Sequence, residues 1–245
     1  MRNIVIDIGN TRIKTGLFEG AGLQQLKLWP TEDVEKMLYW TTNQKAENVI
    51  LSTVAGHPAS SIENRLRRQF FYICLDPATP VPINNRYRTP QTLGQDRLAA
   101  VVGAFQLYPY ENCLVIDAGT CITYDLIDRK GNFLGGNIAP GINLRLKAMH
   151  AFTAGLPQVP AGETESWIGN TTSSAMRNGA QLGAVLEMEG FIGSCRSQMG
   201  EVNVILTGGD ADFFAKKLKS EIFVNHHLVL LGLNKILTYN VKRLE

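Results

Sequence analysis

The sequence predicts an α/β fold of two similar halves. Three observations carry this. A buried strand ending in Asp-x-Gly and a polar turn occurs twice, at Val5-Ile-Asp-Ile-Gly-Asn-Thr11 and at Val115-Ile-Asp-Ala-Gly-Thr-Cys121. The two aspartates, Asp7 and Asp117, stand 110 positions apart. Each turn is followed by an alternating segment that reads as the return strand of a hairpin, and helical and strand signals interleave along the rest.

Length fits this reading. A chain of 245 residues holds one large or two small domains, and 44% hydrophobic content supplies a core without disulfide or metal staples. The boundary is placed at Tyr110 to Asn112, giving halves of 1–111 and 112–245 with no Gly/Ser-rich or charged linker. A formal charge of +2 leaves no electrostatic footprint for nucleic acid or an anionic membrane. No run approaches the roughly 18 apolar residues of a spanning helix. Asp7 falls where a signal peptide needs its apolar core. Cys74, Cys113, Cys121 and Cys195 form no Cys-x-x-Cys pair, and the four histidines show no zinc-like spacing. The expectation is a cytoplasmic protein that engages neither nucleic acid nor membrane.

Asn3 to Gly9 is nearly continuous in apolar residues, as a strand buried on both faces is, and Ile13 to Phe18 alternates as its partner. Pro30, Thr31, Glu32 and Asp33 read as a helix start with acids at the positive dipole end. Val49 to Val54 is a short strand, and Ser60 with Glu63 has capping-box spacing for a helix carrying Leu66 and Phe70. Tyr72 to Leu75 is a strand; Asp76 to Pro90 is a loop. From Gly94 onward, Leu98, Val101, Val102 and Phe105 share one helical face, which sets Asp96 and Arg97 in the first turn. Tyr108-Pro109-Tyr110 ends that helix. The second hairpin (Asn112 to Gly119, Ile122 to Ile127) leads through a turn at Asp128 to Gly131 into a Gly-rich loop, Gly135 to Gly141. Helices follow at about 171–197 and 227–240, separated by a strand at Asn203 to Leu206 that Thr207-Gly-Gly-Asp210 closes.

The hairpins give the first chemical signal. A carboxylate at a strand end, followed by glycine and hydroxyl or amide residues, lets backbone N–H groups wrap phosphate oxygens while the carboxylate holds a cation. Lys14 adds a point charge. One such turn is ordinary; two at matching positions point to a nucleoside triphosphate gripped from both sides. Neither G-x-x-x-x-G-K-[ST] nor a strand-linked G-x-G-x-x-G is present.

The second signal is Gly94-Gln95-Asp96-Arg97, a carboxylate to orient a hydroxyl beside a cationic clamp. A helix start and an adjacent arginine favour a charged carboxylate, which makes a poor base. Phosphoryl transfer, however, has a loose transition state in which orientation outweighs basicity. Among Thr171 to Ser174 one hydroxyl caps a helix and another can face a ligand. Gly135 to Gly141 either closes over substrate or packs the halves. The turn at 208–210 either approaches a nucleotide or simply reverses the chain. Cys121 has no visible base partner. His57 and His150 read as surface residues, His226 and His227 as helix-start residues.

In order and spacing these pieces resemble the type III pantothenate kinases, of the acetate and sugar kinase/heat-shock/actin superfamily, nearly from end to end. The matching segments are Asp7-Ile8-Gly9-Asn10-Thr11-Arg12-Ile13-Lys14, Tyr87 with Thr89-Pro90, Leu93-Gly94-Gln95-Asp96-Arg97 and Asp117 to Asp125. Further on they are Gly135 to Gly141, Thr153 to Pro157, Ile168-Gly169 with Thr172, and Thr207 to Gly209.

The resemblance implies a duplicated RNase H-like (actin-like ATPase) fold, with mixed sheets flanked by helices. It implies that Asp7, Ile8, Gly9, Asn10, Thr11, Arg12, Ile13, Lys14 and Thr120 bind ATP. Pantothenate would contact Tyr87, Gly94, Gln95, Asp96, Arg97 and Thr172, with Asp96 as proton acceptor. Asp117 would hold a monovalent cation, potassium or ammonium, and Mg²⁺ would accompany ATP. A homodimer is implied, in which the partner chain completes the pantothenate pocket. Cys121 stands where many members have Ala, and Thr171 where Asn or Asp is usual.

The expected function is ATP-dependent phosphorylation of pantothenate to 4'-phosphopantothenate, the first step of coenzyme A biosynthesis. Two alternatives stand beside it: another small-molecule kinase of the superfamily, and a non-catalytic ATP-binding regulator of the transcription-activating accessory type. An intact Asp96 and the lack of a basic stripe weigh against the regulator.

Overall fold

The computed structural model describes residues 1–53, 60–164 and 166–244, so His57 and Val54 lie outside the described residues. In chain order the elements are β1 (Arg2–Ile8), β2 (Arg12–Glu19), β3 (Gly22–Pro30), α1 (Val34–Thr42), β4 (Asn48–Thr53), α2 (Ser60–Arg67), β5 (Phe71–Cys74), β6 (Asn84–Asn85) and α3 (Gln95–Leu107). Then come β7 (Cys113–Ala118), β8 (Cys121–Ile127), β9 (Asn132–Pro140), α4 (Ile142–Ala151), α5 (Thr172–Met199), β10 (Asn203–Thr207), α6 (Ala211–Ala215), β11 (Phe223–Val224) and α7 (Leu228–Lys242).

Two compact units result. The first comprises Met1–Tyr110, Ile127–Leu134 and His227–Glu245; the second comprises Glu111–Leu126 and Gly135–His226. The sequence predicts contiguous halves, 1–111 and 112–245, whereas these units interleave. The physical reason is α7, which returns to the first unit.

In the first unit, five strands form a mixed sheet in the order β3-β2-β1-β4-β5, with β4 parallel to β1 and β2 antiparallel to it. Alternation along β1 sorts its side chains. Ile4 and Ile6 join Met37, Leu38, Ile62 and Leu66 in one core under α1 and α2. Asn3, Val5 and Asp7 turn to the other face, where α3 and α7 lie. There the Asn3 amide donates to Asn234 Oδ1 on α7 (2.8 Å) and Asn3 Oδ1 accepts from Asn48 (3.0 Å). Asn234 also donates to the Gly20 carbonyl (2.9 Å). Hydrogen bonds among these buried amides offset the cost of desolvating them, and a shifted helix would lose them, so they fix the register of α7 on the sheet. Helix α7 crosses α3 where Gly103 meets Gly232. A Cβ on Gly103 would stand 2.5 Å from the Leu228 carbonyl, and one on Gly232 would stand 2.9 Å from the Gly103 amide.

The second sheet has the order β11-β10-β7-β8-β9-β6. From β9 through β11 it repeats the order of the first sheet, β9-β8-β7-β10-β11 against β3-β2-β1-β4-β5. The fold is the duplicated α/β arrangement expected. Leu114, Ile116 and Ala118 of β7, with Val204 and Leu206 of β10, pack on Ile142 and Leu146 of α4 and on Ala180, Ala184 and Met188 of α5.

Several local expectations need correction. Gly135 to Gly141 is not a loop: Asn132 to Pro140 is strand β9. A Cβ on Gly136 would run into the Tyr124 carbonyl, so the glycine lets β9 lie close on β8. Strand β3 carries no clean apolar alternation because it is an edge, largely exposed, and is held through Trp29 Nε1 donating to Thr15 Oγ1 (2.9 Å). Glu63 pairs forward with Arg67 (2.7 Å), and Phe70 lies beyond the end of α2. The 76–90 loop contains β6, which pairs with β9 at Asn84 and Asn85. Among the described residues, no helix is long and apolar enough to cross a membrane.

Candidate active site

In the first unit the hairpin between β1 and β2 sets Asp7 directly opposite Lys14. Side chains opposed in an antiparallel pair point to the same face and stand about 5 Å apart at Cβ. The Gly9 N–H donates to the Arg12 carbonyl (3.0 Å) and closes the turn, leaving Asn10, Thr11 and Arg12 exposed at its tip. Ile8 is half-buried and Ile13 fully buried, so their side chains anchor the hairpin. Asp7 itself is largely buried.

The second group in this unit forms at the start of α3. Gly94 is the N-cap, with Gln95, Asp96 and Arg97 filling the first turn. The Asp96 Oδ1 accepts the Arg97 backbone N–H (2.8 Å), in space that a Cβ on Gly94 would invade. Gln95 donates to the Leu93 carbonyl (3.1 Å), while its Oε1 is buried and makes no hydrogen bond among the described residues. Arg97 is only 6% exposed, and its guanidinium carbon lies 5.5 Å from the centre of the Tyr87 ring. Tyr87 in turn stacks on Phe133, with centroids 6.0 Å apart and planes 8° from parallel. The backbone holds it there: Tyr87 N–H donates to Asn85 Oδ1 (3.0 Å), and Arg86 N–H to the Phe133 carbonyl (3.0 Å). The residues expected to contact one substrate, Tyr87 and Gly94 to Arg97, are thus brought together. Phe133, which stacks on Tyr87 in that cluster, gives no site signal in the sequence, being an apolar residue after a turn.

In the second unit, Asp117 is the last residue but one of β7, with Thr207 beside it in parallel register. The backbone of Gly208 (φ +98°) passes so close that a Cβ there would stand 2.5 Å from Asp117 Oδ1. The turn continues with the Asp210 N–H donating to the Ala118 carbonyl (2.9 Å), and burial pushes the Asp210 carboxyl above its ordinary range. Thr120 and Cys121 are exposed at the tip of the β7–β8 hairpin, which the Gly119 N–H closes on the Cys121 carbonyl (2.9 Å). At the start of α5, Thr171 is the cap: its hydroxyl accepts the Ser174 N–H (3.1 Å), and Ser174 reciprocates. Thr172, next in line, is exposed. Of the described histidines, exposed His150 meets the Leu156 carbonyl, His226 lies 3.2 Å from Asp212, and His227 is the N-cap residue of α7 without a capping bond from its side chain. Among the described residues, no three His, Cys, Asp or Glu side chains gather as a metal cluster.

Comparison with known proteins gives a consistent picture. A family model described as type III pantothenate kinase matches residues 3–194. A type III pantothenate kinase of Phocaeicola vulgatus is 43% identical over 241 residues, covering 98% of this chain and 99% of the relative. One from Bacteroides fragilis is 40% identical over 242 residues, covering 99% and 100%. Among solved structures, a Baf family transcriptional activator from Campylobacter jejuni superposes with a TM-score of 0.63 at 22% identity, covering 98% and 99% of the two chains. The ROK hexokinase of Thermus thermophilus superposes at 0.54 and 15% identity, covering 98% and 100%. At such identities the structural likenesses speak for the fold alone.

Proposed function

The chain belongs to the type III pantothenate kinase family, and from that premise we propose how its residues divide the work. The reaction is ATP-dependent phosphorylation of pantothenate, in coenzyme A biosynthesis. ATP is the phosphoryl donor.

In this reading Asp96 receives the hydroxyl of pantothenate on Oδ2, orients it, and takes its proton as the phosphoryl group transfers. The loose transition state asks for alignment more than for a strong base. Arg97, buried and braced by Tyr87, faces the pantothenate carboxylate or amide region. The unsatisfied Gln95 Oε1 suits a donor on the same molecule. Asp7, Asn10, Thr11, Arg12 and Lys14 hold the triphosphate, with Thr120 adding a hydroxyl, and Thr172 contacts pantothenate. Carboxylate and backbone oxygens at the end of β7 fit a hard or monovalent cation, so potassium or ammonium is assigned to Asp117 and Mg²⁺ to the phosphates. Such ions offset charge on the phosphoryl oxygens.

Large exposed apolar residues in the second unit, Ile138, Phe152, Trp167, Ile168 and Leu186, support a homodimer in which a second copy covers them. The cytoplasm is the compartment proposed, in keeping with four cysteines that are all free thiols.

The observation that carries the residue assignment is the assembly of Asp96, Arg97 and Tyr87 at one helix start. Its test is Asp96→Asn. ATP affinity should stay within about threefold while turnover falls by about 10²–10⁴. A variant retaining most of its turnover would overturn the role of Asp96.

A further inference from the structure

Resting on the assignment of Thr120 to ATP, we propose that Arg145 and Glu187 are positioning residues for the second phosphate hairpin, acting through a closed ring of hydrogen bonds. The ring begins at the hairpin tip, where the Gly141 N–H donates to the Thr120 carbonyl (3.0 Å). One residue back, the Pro140 carbonyl accepts from Arg145 Nε (2.8 Å). Arg145 Nη2 reaches Glu187 Oε2 on α5 (2.7 Å), and Glu187 Oε1 accepts from the Tyr124 hydroxyl (2.9 Å). Tyr124 stands on β8, four residues after Thr120, so the ring closes on the strand where it began. Every member belongs to the second unit.

Each link has a reason to be what it is. A Cβ on Gly141 would stand 2.7 Å from the Thr120 carbonyl oxygen, so only glycine allows that contact. The planar guanidinium holds its donors to the two acceptors at a fixed angle, whereas the donors of an ammonium rotate on a flexible stem. Tyr124 is 2% exposed, and burial drives its hydroxyl to stay protonated as a donor. Arg145 and Glu187 are only 19% and 29% exposed at their side chains, which spares their contact much of the solvent screening of surface pairs. Thr120 itself is exposed. Ordering such a tip before ligand arrives removes that entropic cost from binding, and the ring supplies that order.

The experiment measures steady-state kinetics for Arg145→Met, Arg145→Lys, Glu187→Gln, Tyr124→Phe and Thr120→Val, with hydrogen exchange at the Gly141 amide. Arg145→Met should raise KM for ATP about five- to twentyfold and leave KM for pantothenate within about twofold, since Tyr87, Asp96 and Arg97 lie in the other unit and Thr172 stands 15 residues before Glu187 along α5. Arg145→Lys should recover only part of the loss, and Tyr124→Phe, the mildest change, should move KM for ATP in the same direction. Exchange at Gly141 should quicken at least about tenfold in Arg145→Met. If Thr120→Val weakens ATP while the ring variants leave KM for ATP unchanged, or shift both KM values alike, the ring proposal is overturned. If Thr120→Val leaves KM for ATP unchanged, the ATP assignment fails instead. The ring then stands or falls on Gly141 exchange alone.

Discussion

The Arg97 guanidinium lies 5.5 Å from the centre of the Tyr87 ring, which itself stacks on Phe133. A cation against an aromatic face gains roughly 0.5–2 kcal/mol, more when desolvated. Tyr87→Phe keeps the ring and should change KM for pantothenate by less than about threefold, whereas Tyr87→Ala should raise it about tenfold or more with KM for ATP unaltered. Equal losses in the two variants would mean that the hydroxyl, not the ring, is what the site uses.

The crossing of α3 and α7 at Gly103 and Gly232 leaves no room for a methyl group. Gly232→Ala should cost about 1–3 kcal/mol through overpacking. At about 2–4 °C per kcal/mol for a chain of this size, calorimetry should find Tm lower by several degrees. Because α3 begins with Asp96, turnover should fall as well. A variant with unchanged Tm would show that the two helices can part without loss.

Asp128 closes the turn into β9 by accepting the N–H groups of Lys130 and Asn132 and the Asn132 amide. Burial favours its protonated form, but the hydrogen bonds outweigh burial and hold the carboxyl below its ordinary value. With the folded pKa depressed, its contribution to stability is present above the unfolded value of about 4 and is lost as pH falls through the folded one. The Tm gap between the protein and Asp128→Asn should therefore be widest near neutrality and close in acid. A gap independent of pH would remove the carboxylate charge as its source.

Cys121 is exposed beside Thr120, whereas Cys113 is fully buried, and burial pushes its thiol up to about 12. Alkylation followed by mass spectrometry should mark Cys121 first of the four thiols and Cys113 last. Saturating ATP should slow the labelling of Cys121 by severalfold. Protection by pantothenate but not by ATP would move Thr120 from the nucleotide to the substrate.

Much of this was legible in the sequence because it depends on local pattern. The buried runs of β1 and β7, the two Asp-x-Gly turns and the first turn of α3 each sit within a dozen residues, and apolar periodicity places them. What could not be read depends on contacts between distant segments. Nothing in Leu228 to Lys242 says that Asn234 will meet Asn3. The glycines at 135 and 136 read as a loop because the reason for Gly136 is the carbonyl of Tyr124, on another strand, and that for Gly135 is its φ of +108°. The exposed edge β3 lacks the alternation that betrays a half-buried strand. Arg145 and Glu187 look like ordinary helix charges until the fold brings them within 2.7 Å.

The return of α7 also sets a clock on biosynthesis. The helix that carries Asp96 cannot complete its packing until residues about 130 positions beyond Tyr110 have left the ribosome, a delay on the order of 10 s at roughly 5–20 residues per second. Until then the face of β1 with Asn3 and Val5 lacks its α7 cover, and exposed apolar surface of this kind invites aggregation and chaperone capture. The half of the enzyme synthesised first is therefore the half that must wait.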